Sequence, residues 1–158
     1  GTGNVLGNAA VALVCVLLFA ASRSLPVDGI VFQYAFAGSM AAALSDTLSS
    51  EIGGLYDNPR LITTLEPVSP GTDGGVTWQG EVFGLLGAVV VGAVAFAMLT
   101  EVSPVGAAVV ALGGFAGMTA DSVLGATIEG PRFGNEAVNL AATLVGAVVS
   151  AVAAIPLL

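Results

Sequence analysis

Five long apolar segments alternate with polar connections along the chain. A helix needs about 20 apolar residues to cross a bilayer, and each segment comes close to that length. The segments are Val5–Ala21, Ile30–Ser50, Glu81–Thr100, Val105–Leu124 and Glu136–Leu158. This pattern predicts an all-α, polytopic transmembrane bundle of about five spanning helices, folded as a single domain over residues 1–158.

The connection from Gly54 to Gly80 is the only long polar segment, and it contains three of the seven prolines. Within it, the run from Arg60 to Leu65 is apolar and threonine-rich, which is compatible with a short strand or with an extended loop on the membrane face. The later run from Pro70 to Gly75 contains three glycines. Successive backbone N–H groups without bulky side chains form nests that bind anions, so this run is a candidate phosphate-binding turn.

An internal repeat links the second and fourth apolar segments. Asp46-Thr47 ends the second, and Asp121-Ser122 returns near the end of the fourth. Stripes of small residues let membrane helices pack closely. At helical spacing each acid belongs to such a stripe; the stripes are Gly38, Ala42, Asp46 and Ser50, and Gly113, Gly117, Asp121 and Gly125. We therefore expect the two helices to cross at their stripes, with Asp46 facing Asp121.

Composition agrees with a membrane protein and narrows its chemistry. Hydrophobic residues make up 56% of the chain and charged residues 9%, with three arginines, no lysine and no histidine. Mechanisms that need a lysine Schiff base or a histidine base are therefore excluded. The net charge of −8 disfavours nucleic acid as a partner. The expected environment is the lipid bilayer.

Alternating spans distribute the polar groups unequally between the two membrane faces. Nine of the eleven acids and two of the three arginines share the face that carries both Asp motifs, whereas Arg23 lies on the other face. The positive-inside rule then predicts that the motif face is cytoplasmic, in the cell membrane.

Carboxylates at the edge of a bilayer are costly unless water, a cation or a ligand needs them. Asp46 and Asp121 are therefore candidate Mg²⁺ ligands, because Mg²⁺ prefers hard oxygen atoms and completes its shell with water and phosphate. Glu51 is a candidate assisting acid or base. The alternative is that these acids are interfacial residues facing water.

Further polar residues on the same face are candidates for binding substrate phosphates. Arg60 and Arg132 are the only cations there, although either could be an ordinary membrane-edge arginine. Two Asn-x-x-x-Asn pairs stand at helix entrances, where they could also serve as caps. The complete set of phosphate-binding candidates is Asn8, Arg60, Thr64, Gly71, Thr72, Gly74, Gly75, Arg132, Asn135 and Asn139.

Together these groups favour phosphoryl or nucleotidyl transfer by positioning and charge neutralisation, since the chain offers no strong nucleophile. Three alternatives remain open: a CDP-lipid synthase, a polyprenol kinase and a cation transporter. A transporter needs its acids near the middle of the membrane, whereas Asp46 and Asp121 lie near predicted helix ends.

Four motifs resemble the transmembrane protein 19 family, which includes plant phytyl-phosphate kinase. They occur in the family's order and cover nearly the whole chain: Ala43–Gly53, Pro59–Thr64, Pro70–Val76, and Asp121–Thr127 followed by Asn135–Asn139. The resemblance implies a Mg²⁺-dependent enzyme that transfers phosphate from a nucleoside triphosphate, CTP in preference to ATP, to an isoprenoid monophosphate. Family members have further apolar segments before the part seen here, so we interpret the chain as the C-terminal portion of a longer protein or one that lacks an internal segment. Association into a homo-oligomer stays open.

Overall fold

The structure is a computed structural model that describes residues 2–128 and 134–157, with side chains from residue 5 onward. Five long helices dominate it: α1 (Thr2–Ala21), α2 (Gly29–Gly53), α3 (Trp78–Met98), α4 (Pro104–Thr127) and α5 (Asn135–Ala154). Short 3-10 turns follow α1 and α5, at Ser22–Ser24 and Ile155–Leu157. The predicted all-α bundle is confirmed, with helix ends within a few residues of those expected.

Four of the described helices are long and apolar enough to cross a membrane. These spans are Val5–Ser24, Trp78–Met98, Pro104–Thr127 and Asn135–Leu157. The second helix, α2, is 25 residues long but less apolar. It is the central helix and packs against α1, α3, α4 and α5. Because protein replaces lipid around much of α2, its surface tolerates more small and polar residues than a lipid-facing helix does.

Side chains cap three of the helix starts. Asp28 accepts a hydrogen bond from the N–H of Ile30 at α2, at 3.0 Å. Thr77 accepts from Gly80 at α3, at 3.2 Å, and Ser103 accepts from Gly106 at α4, at 3.0 Å. Each cap satisfies one backbone donor that the first helical turn leaves unpaired. The caps mark where α2, α3 and α4 begin. Contacts of Gly84 with Ser45 and of Gly92 with Ala107 show that α3 runs opposite to both α2 and α4.

The predicted stripes of α2 and α4 meet at Ala42 and Gly117, whereas Gly38 and Gly113 both pack against Gly146 and Ser150 of α5. A Cβ atom added to Gly146 of α5 would lie 2.6 Å from the carbonyl oxygen of Gly38 and 2.8 Å from the Cβ of Ala42. One added to Gly117 of α4 would contact Ala42 and lie 2.7 Å from the carbonyl oxygen of Ala142. Only glycine permits this approach, so the small residues set the spacing of three helices rather than two.

Helix α3 also packs closely against α2 through glycines, on another side of α2. A Cβ at Gly80 would lie 2.7 Å from the carbonyl oxygen of Ser49, and one at Gly84 would lie 3.1 Å from that of Ser45. The Ser45 hydroxyl donates to the Gly84 carbonyl at 2.7 Å, fully buried between the helices. This contact fixes the end of α2 against the beginning of α3.

The long polar connection folds as a small antiparallel hairpin. Its strands are β1 (Arg60–Leu61) and β2 (Gly75–Val76), with Arg60 opposite Val76 and Leu61 opposite Gly75. The short strand expected within Arg60–Leu65 is therefore present for two residues. The chain then turns, because Leu65 adopts a positive φ of 60° and its N–H donates to the Leu61 carbonyl at 2.7 Å.

Candidate functional site

A cavity of about 250 Å³ lies where the end of α2, the end of α4 and the start of α3 meet the hairpin loop. Helix side chains line its inner part, and the loop contributes the walls. Its lining residues are Asp46, Ser49, Ser50, Gly53, Gly54, Tyr56, Pro59, Pro70, Gly71, Thr72, Gly74, Gly75, Val76, Thr77, Asp121 and Ser122. Both repeated motifs and the glycine-rich turn therefore contribute to one site.

The inner end of the cavity carries the two repeated acids. Asp46 comes from α2 and Asp121 from α4, and their side chains lie within hydrogen-bonding contact. Two ionised carboxylates in contact repel each other strongly in a poorly hydrated site, so this arrangement requires a proton or a cation between them. The geometry expected from the two stripes is present, with Asp46 facing Asp121.

Hydroxyl groups surround the acids. Ser49, Ser50 and Ser122 line the cavity from the same two helices, and Thr77 lines it from the start of α3. Thr77 is also the cap of α3, and its hydroxyl lies 3.5 Å from the carbonyl oxygen of Gly53. The cavity thus presents oxygen atoms from three helices, a surface suited to hard cations and phosphate groups.

The glycine-rich turn closes over α4. Gly71 and Gly74 have positive φ values of 83° and 72°, a conformation that other residues adopt at a cost. A Cβ at Gly74 would lie 2.6 Å from both the Ser122 carbonyl oxygen and the Ala126 nitrogen, whereas one at Gly71 would meet open space. Gly74 is therefore required for docking of the turn on α4, one turn beyond Asp121.

Two amides of this turn already serve its own structure. The N–H of Thr72 donates to the Ser69 carbonyl at 3.1 Å, and the N–H of Gly75 donates to the Thr72 carbonyl at 2.9 Å. The Thr72 hydroxyl donates to Ser69 as well, at 2.7 Å. The phosphate-binding hypothesis consequently rests on the remaining amides of the turn and on the cavity hydroxyls.

Three of the other predicted site residues lie outside this cavity. Glu51 is exposed on the last turns of α2. Arg60 is exposed too, and its guanidinium donates to the Leu65 carbonyl at 2.7 Å, which holds the turn after β1. Thr64 accepts a hydrogen bond from the N–H of Glu66 at 3.3 Å within that turn. The two polar side chains with these contacts stabilise the loop that forms the cavity wall.

The predicted asparagines belong to a different region. Asn139 of α5 is 4% exposed. It faces α1, since a Cβ atom added to Gly7 would lie 3.3 Å from the Cβ of Asn139. Asn8 is half-buried on α1, and Asn135 is exposed at the start of α5. None of the three lines the cavity in the part of the chain that the structure describes. Arg132 lies outside the described residues.

The sequence patterns missed several residues that line the cavity. Tyr56 and Pro59 contribute from the start of the loop, and Ser49 and Thr77 from the two helix ends that flank it. Ser49 lies one helical turn after the buried Ser45, on the side of α2 that faces α3. Thr77 is a residue type that commonly caps helices. Those signals indicate local structure only. The loop must fold over the helix ends before these residues line one cavity with the acids.

The donors in the cavity fit Mg²⁺. The structure describes no group of three or more His, Cys, Asp or Glu side chains that could hold a metal on their own. Mg²⁺ commonly uses only one or two carboxylates and completes its octahedral shell with water and substrate phosphates. The pair formed by Asp46 and Asp121, among hydroxyls and without sulfur or imidazole, matches that requirement.

The bundle and its site define a class of protein: a multi-pass integral membrane protein with paired acids beneath a glycine-rich loop at one end of its helices. Residues 1–147 match the family described as Integral membrane protein DUF92. The chain belongs to that family, in agreement with its resemblance to the transmembrane protein 19 group.

Curated relatives extend the comparison. An uncharacterised membrane protein of Methanocaldococcus jannaschii is 45% identical over 125 residues, which cover 75% of this chain and 51% of that protein. Another, of Synechocystis, is 33% identical over 153 residues, which cover 95% and 58% of the two chains. The chloroplast protein VTE6 of Arabidopsis thaliana is 29% identical over 155 residues, covering 95% and 46%. The chain thus spans about half the length of the curated relatives it matches, and no solved structure matches it.

Proposed function

We propose that the protein transfers a phosphoryl group from a nucleoside triphosphate to an isoprenoid monophosphate, giving the isoprenoid diphosphate. The observation that carries the proposal is the contact between Asp46 and Asp121 inside a cavity closed by the glycine-rich turn. The family of the chain resembles the transmembrane protein 19 group, which includes plant phytyl-phosphate kinase. This resemblance favours an isoprenoid monophosphate as the acceptor over other phosphate chemistries. CTP is the preferred donor in the proposal, with ATP as the alternative.

The reaction needs little covalent help from the protein. An oxygen of the isoprenoid monophosphate attacks the terminal phosphorus of the donor, and the bond from that phosphorus to the bridging oxygen breaks, releasing a nucleoside diphosphate. A phosphate monoester is already anionic near neutral pH and therefore requires no strong base. This agrees with a chain that has no histidine or lysine.

Each group of cavity residues has a separate role in the proposed reaction. Asp46 and Asp121 would hold Mg²⁺, which when bound supplies positive charge to the phosphate oxygens. Hydroxyls of Ser49, Ser122 and Thr77 would orient the phosphates, and the turn around Gly74 would exclude water. These groups act by positioning and electrostatic stabilisation, which supply most of the acceleration in phosphoryl transfer.

The isoprenoid tail needs an apolar surface on the bundle. A groove of about 350 Å³ runs between α1, α2 and α5, and every residue that lines it is apolar, apart from the thiol of Cys15. The side chains include Val11, Leu18, Phe32 and Leu144. A tail entering from the lipid side would bury its methyl and methylene groups there at little cost.

A comparison of acceptors tests the proposal. Purified protein is incubated with Mg²⁺ and CTP or ATP, in parallel with a prenyl phosphate and with the corresponding prenol. We expect the prenyl phosphate to be converted to the diphosphate with release of nucleoside diphosphate, and the prenol to react poorly, because deprotonating an alcohol calls for a base. Asp46→Asn serves as the control for contaminating kinases.

Two results would contradict the assignment. Turnover of the prenol as fast as that of the prenyl phosphate would move the protein to the polyprenol kinases. Release of pyrophosphate in place of a nucleoside diphosphate would identify a CDP-lipid synthase, in which a different phosphorus is attacked.

A further inference from the structure

We infer that Tyr56 forms the nucleobase subsite of this cavity, its ring stacking on the base of the nucleoside triphosphate. The inference rests on the proposed function, since it requires a nucleotide as donor. Tyr56 is the aromatic side chain among the described residues that line the cavity. Its place in the cavity, rather than its chemistry alone, indicates this role.

The cavity has an inner end and a rim. Asp46 lies seven residues before Gly53, the last residue of α2, which corresponds to about 10 Å along the helix axis. Tyr56 follows the end of that helix and is 41% exposed. The acids therefore occupy the inner end, while the tyrosine ring stands at the opening.

A bound nucleotide has to follow the same direction. If the terminal phosphate lies at Asp46 and Asp121, the remaining phosphates and the ribose lead away from the acids, and the base comes last. Gly71 and Gly74 line the cavity beside this path. The base consequently arrives at the rim, where Tyr56 offers a flat apolar surface.

The backbone holds Tyr56 in position. Its N–H donates to the Gly53 carbonyl at 3.1 Å, and the N–H of Leu55 donates to the Ile52 carbonyl at 3.1 Å. Asn58 then takes a positive φ of 66° and leads into Pro59, which is buried and lines the same cavity. A fixed turn presents the ring with less loss of conformational freedom on binding than a mobile loop would.

Stacking recognises the plane of a base rather than its hydrogen-bonding edge. Every base has an aromatic face, so such contacts tolerate different bases. In the described lining, no Asn, Gln or Arg side chain is available to read a base edge. Tyr56 should therefore strengthen binding of CTP and ATP alike.

The test compares nucleotides with a ligand that has phosphates but no base. Binding of CTP, of ATP and of inorganic tripolyphosphate to the purified protein with Mg²⁺ is measured by calorimetry, without turnover. Tyr56→Leu should weaken binding of both nucleotides about 10-fold and leave tripolyphosphate binding unchanged. Tyr56→Phe keeps the ring and should match the original protein. Leu55→Ala, which alters an exposed neighbour that does not line the cavity, is the matched control.

Each result bears on the inference. Equal nucleotide affinity in Tyr56→Leu and the original protein would overturn it, and so would an equal loss for tripolyphosphate, which would show that the ring supports the cavity instead of the base. Absence of nucleotide binding by the original protein would reject the proposed function as well. Unchanged tripolyphosphate binding, together with the Tyr56→Phe result, separates a lost subsite from a misfolded variant.

Discussion

Asp46 and Asp121 are separated by 75 positions in the chain and meet because they occupy equivalent positions in two stripes of small residues. Their contact is costly without a counter-charge, since like charges repel and the helices around them exclude much of the water. Without a cation, the two carboxyl groups must share a proton. A bound cation would convert the repulsion into shared coordination, which is the physical reason for placing Mg²⁺ there.

Replacing either acid by asparagine tests this at the residue scale. Asp46→Asn and Asp121→Asn should each lower turnover by about 100-fold or more, because in the proposed reaction each would remove charge that holds the cation at the transferring phosphoryl group. The free energy of unfolding should stay the same or rise, since an amide beside a carboxylate needs neither a shared proton nor a cation. Activity assays and thermal unfolding in detergent measure the two effects.

Glu66→Gln is the matched control, because it makes the same chemical change on an exposed loop residue outside the cavity. It should behave like the original protein. Retention of full turnover by both aspartate variants would mean that the pair has no part in the reaction.

The loop between α2 and α3 is the element that turns two helix ends into a closed cavity. Its hairpin pairing, the Arg60 contact to Leu65 and the packing of Gly74 on α4 hold it over the acids. The N–H of Ile62 also donates to the Gly74 carbonyl at 2.9 Å, which ties the strand side of the loop to the glycine-rich turn. These contacts therefore hold the loop in a defined conformation as one wall of the cavity.

Two glycines of this loop give a comparison at the scale of the element. Gly71→Ala and Gly74→Ala both place alanine at positive φ, at a common cost of about 1–2 kcal/mol. Gly74→Ala also drives a methyl group into the backbone of Ser122 and Ala126, whereas Gly71→Ala meets open space. We expect Gly74→Ala to lose most of its turnover and Gly71→Ala to retain a larger part.

The measurement is turnover together with protease sensitivity of the loop. Greater cleavage in Gly74→Ala than in Gly71→Ala would show that the turn has left α4. Equal behaviour of the two variants would argue that backbone conformation alone, and not docking on α4, limits the loop.

At the scale of the whole molecule, the bundle places one end of every helix on the site's face. The site itself involves α2, α3, α4 and the loop. The buried contacts between Gly7, Asn139 and Thr143 join α1 and α5 at the same end, with the Thr143 hydroxyl 3.4 Å from the Gly7 carbonyl oxygen. The chain is a multi-pass integral membrane protein, and we propose that this face is cytoplasmic.

Labelling of introduced cysteines tests the orientation. Cys15 is the single cysteine and is buried, so it is first replaced by alanine. In intact cells an impermeant thiol reagent should modify Arg23→Cys, which lies at the opposite end of the bundle, and spare Thr72→Cys. Lysed cells provide the control, since both cysteines should then react. Modification of Thr72→Cys in intact cells would show that the orientation is inverted.

Much of this architecture followed from local patterns. Five apolar segments predicted five helices, and five long helices are present in the described part of the chain. The caps at Asp28, Thr77 and Ser103 were not predicted, although Asp, Thr and Ser are residue types that favour helix starts. Small residues at helical spacing predicted the contact of α2 with α4 at Ala42 and Gly117, but not that Gly38 and Gly113 pack against α5. These features are readable from the sequence because helix length, capping and glycine stripes depend on residues close together in the chain.

The site could be predicted only in part, because much of it depends on residues that are far apart in the chain. The pairing of the acids followed from the repeat, but the composition of the loop did not reveal that Arg60 is occupied by the Leu65 carbonyl or that Asn139 packs toward α1. Those outcomes depend on contacts between segments that are distant in sequence. For Tyr56, a local turn places the ring after α2, but the cavity that it lines forms only when the loop packs on α4.

Sequence alone thus determined the helices, their close-packed faces and the two acids that share a site, because each is encoded by periodicity within one segment or by a repeat of it. The tertiary structure decided that α2 is central, that α5 joins the crossing through Gly146, and which loop residues enclose the acids. These are consequences of packing in three dimensions, where the burial of one helix and the path of one loop depend on every neighbour at once.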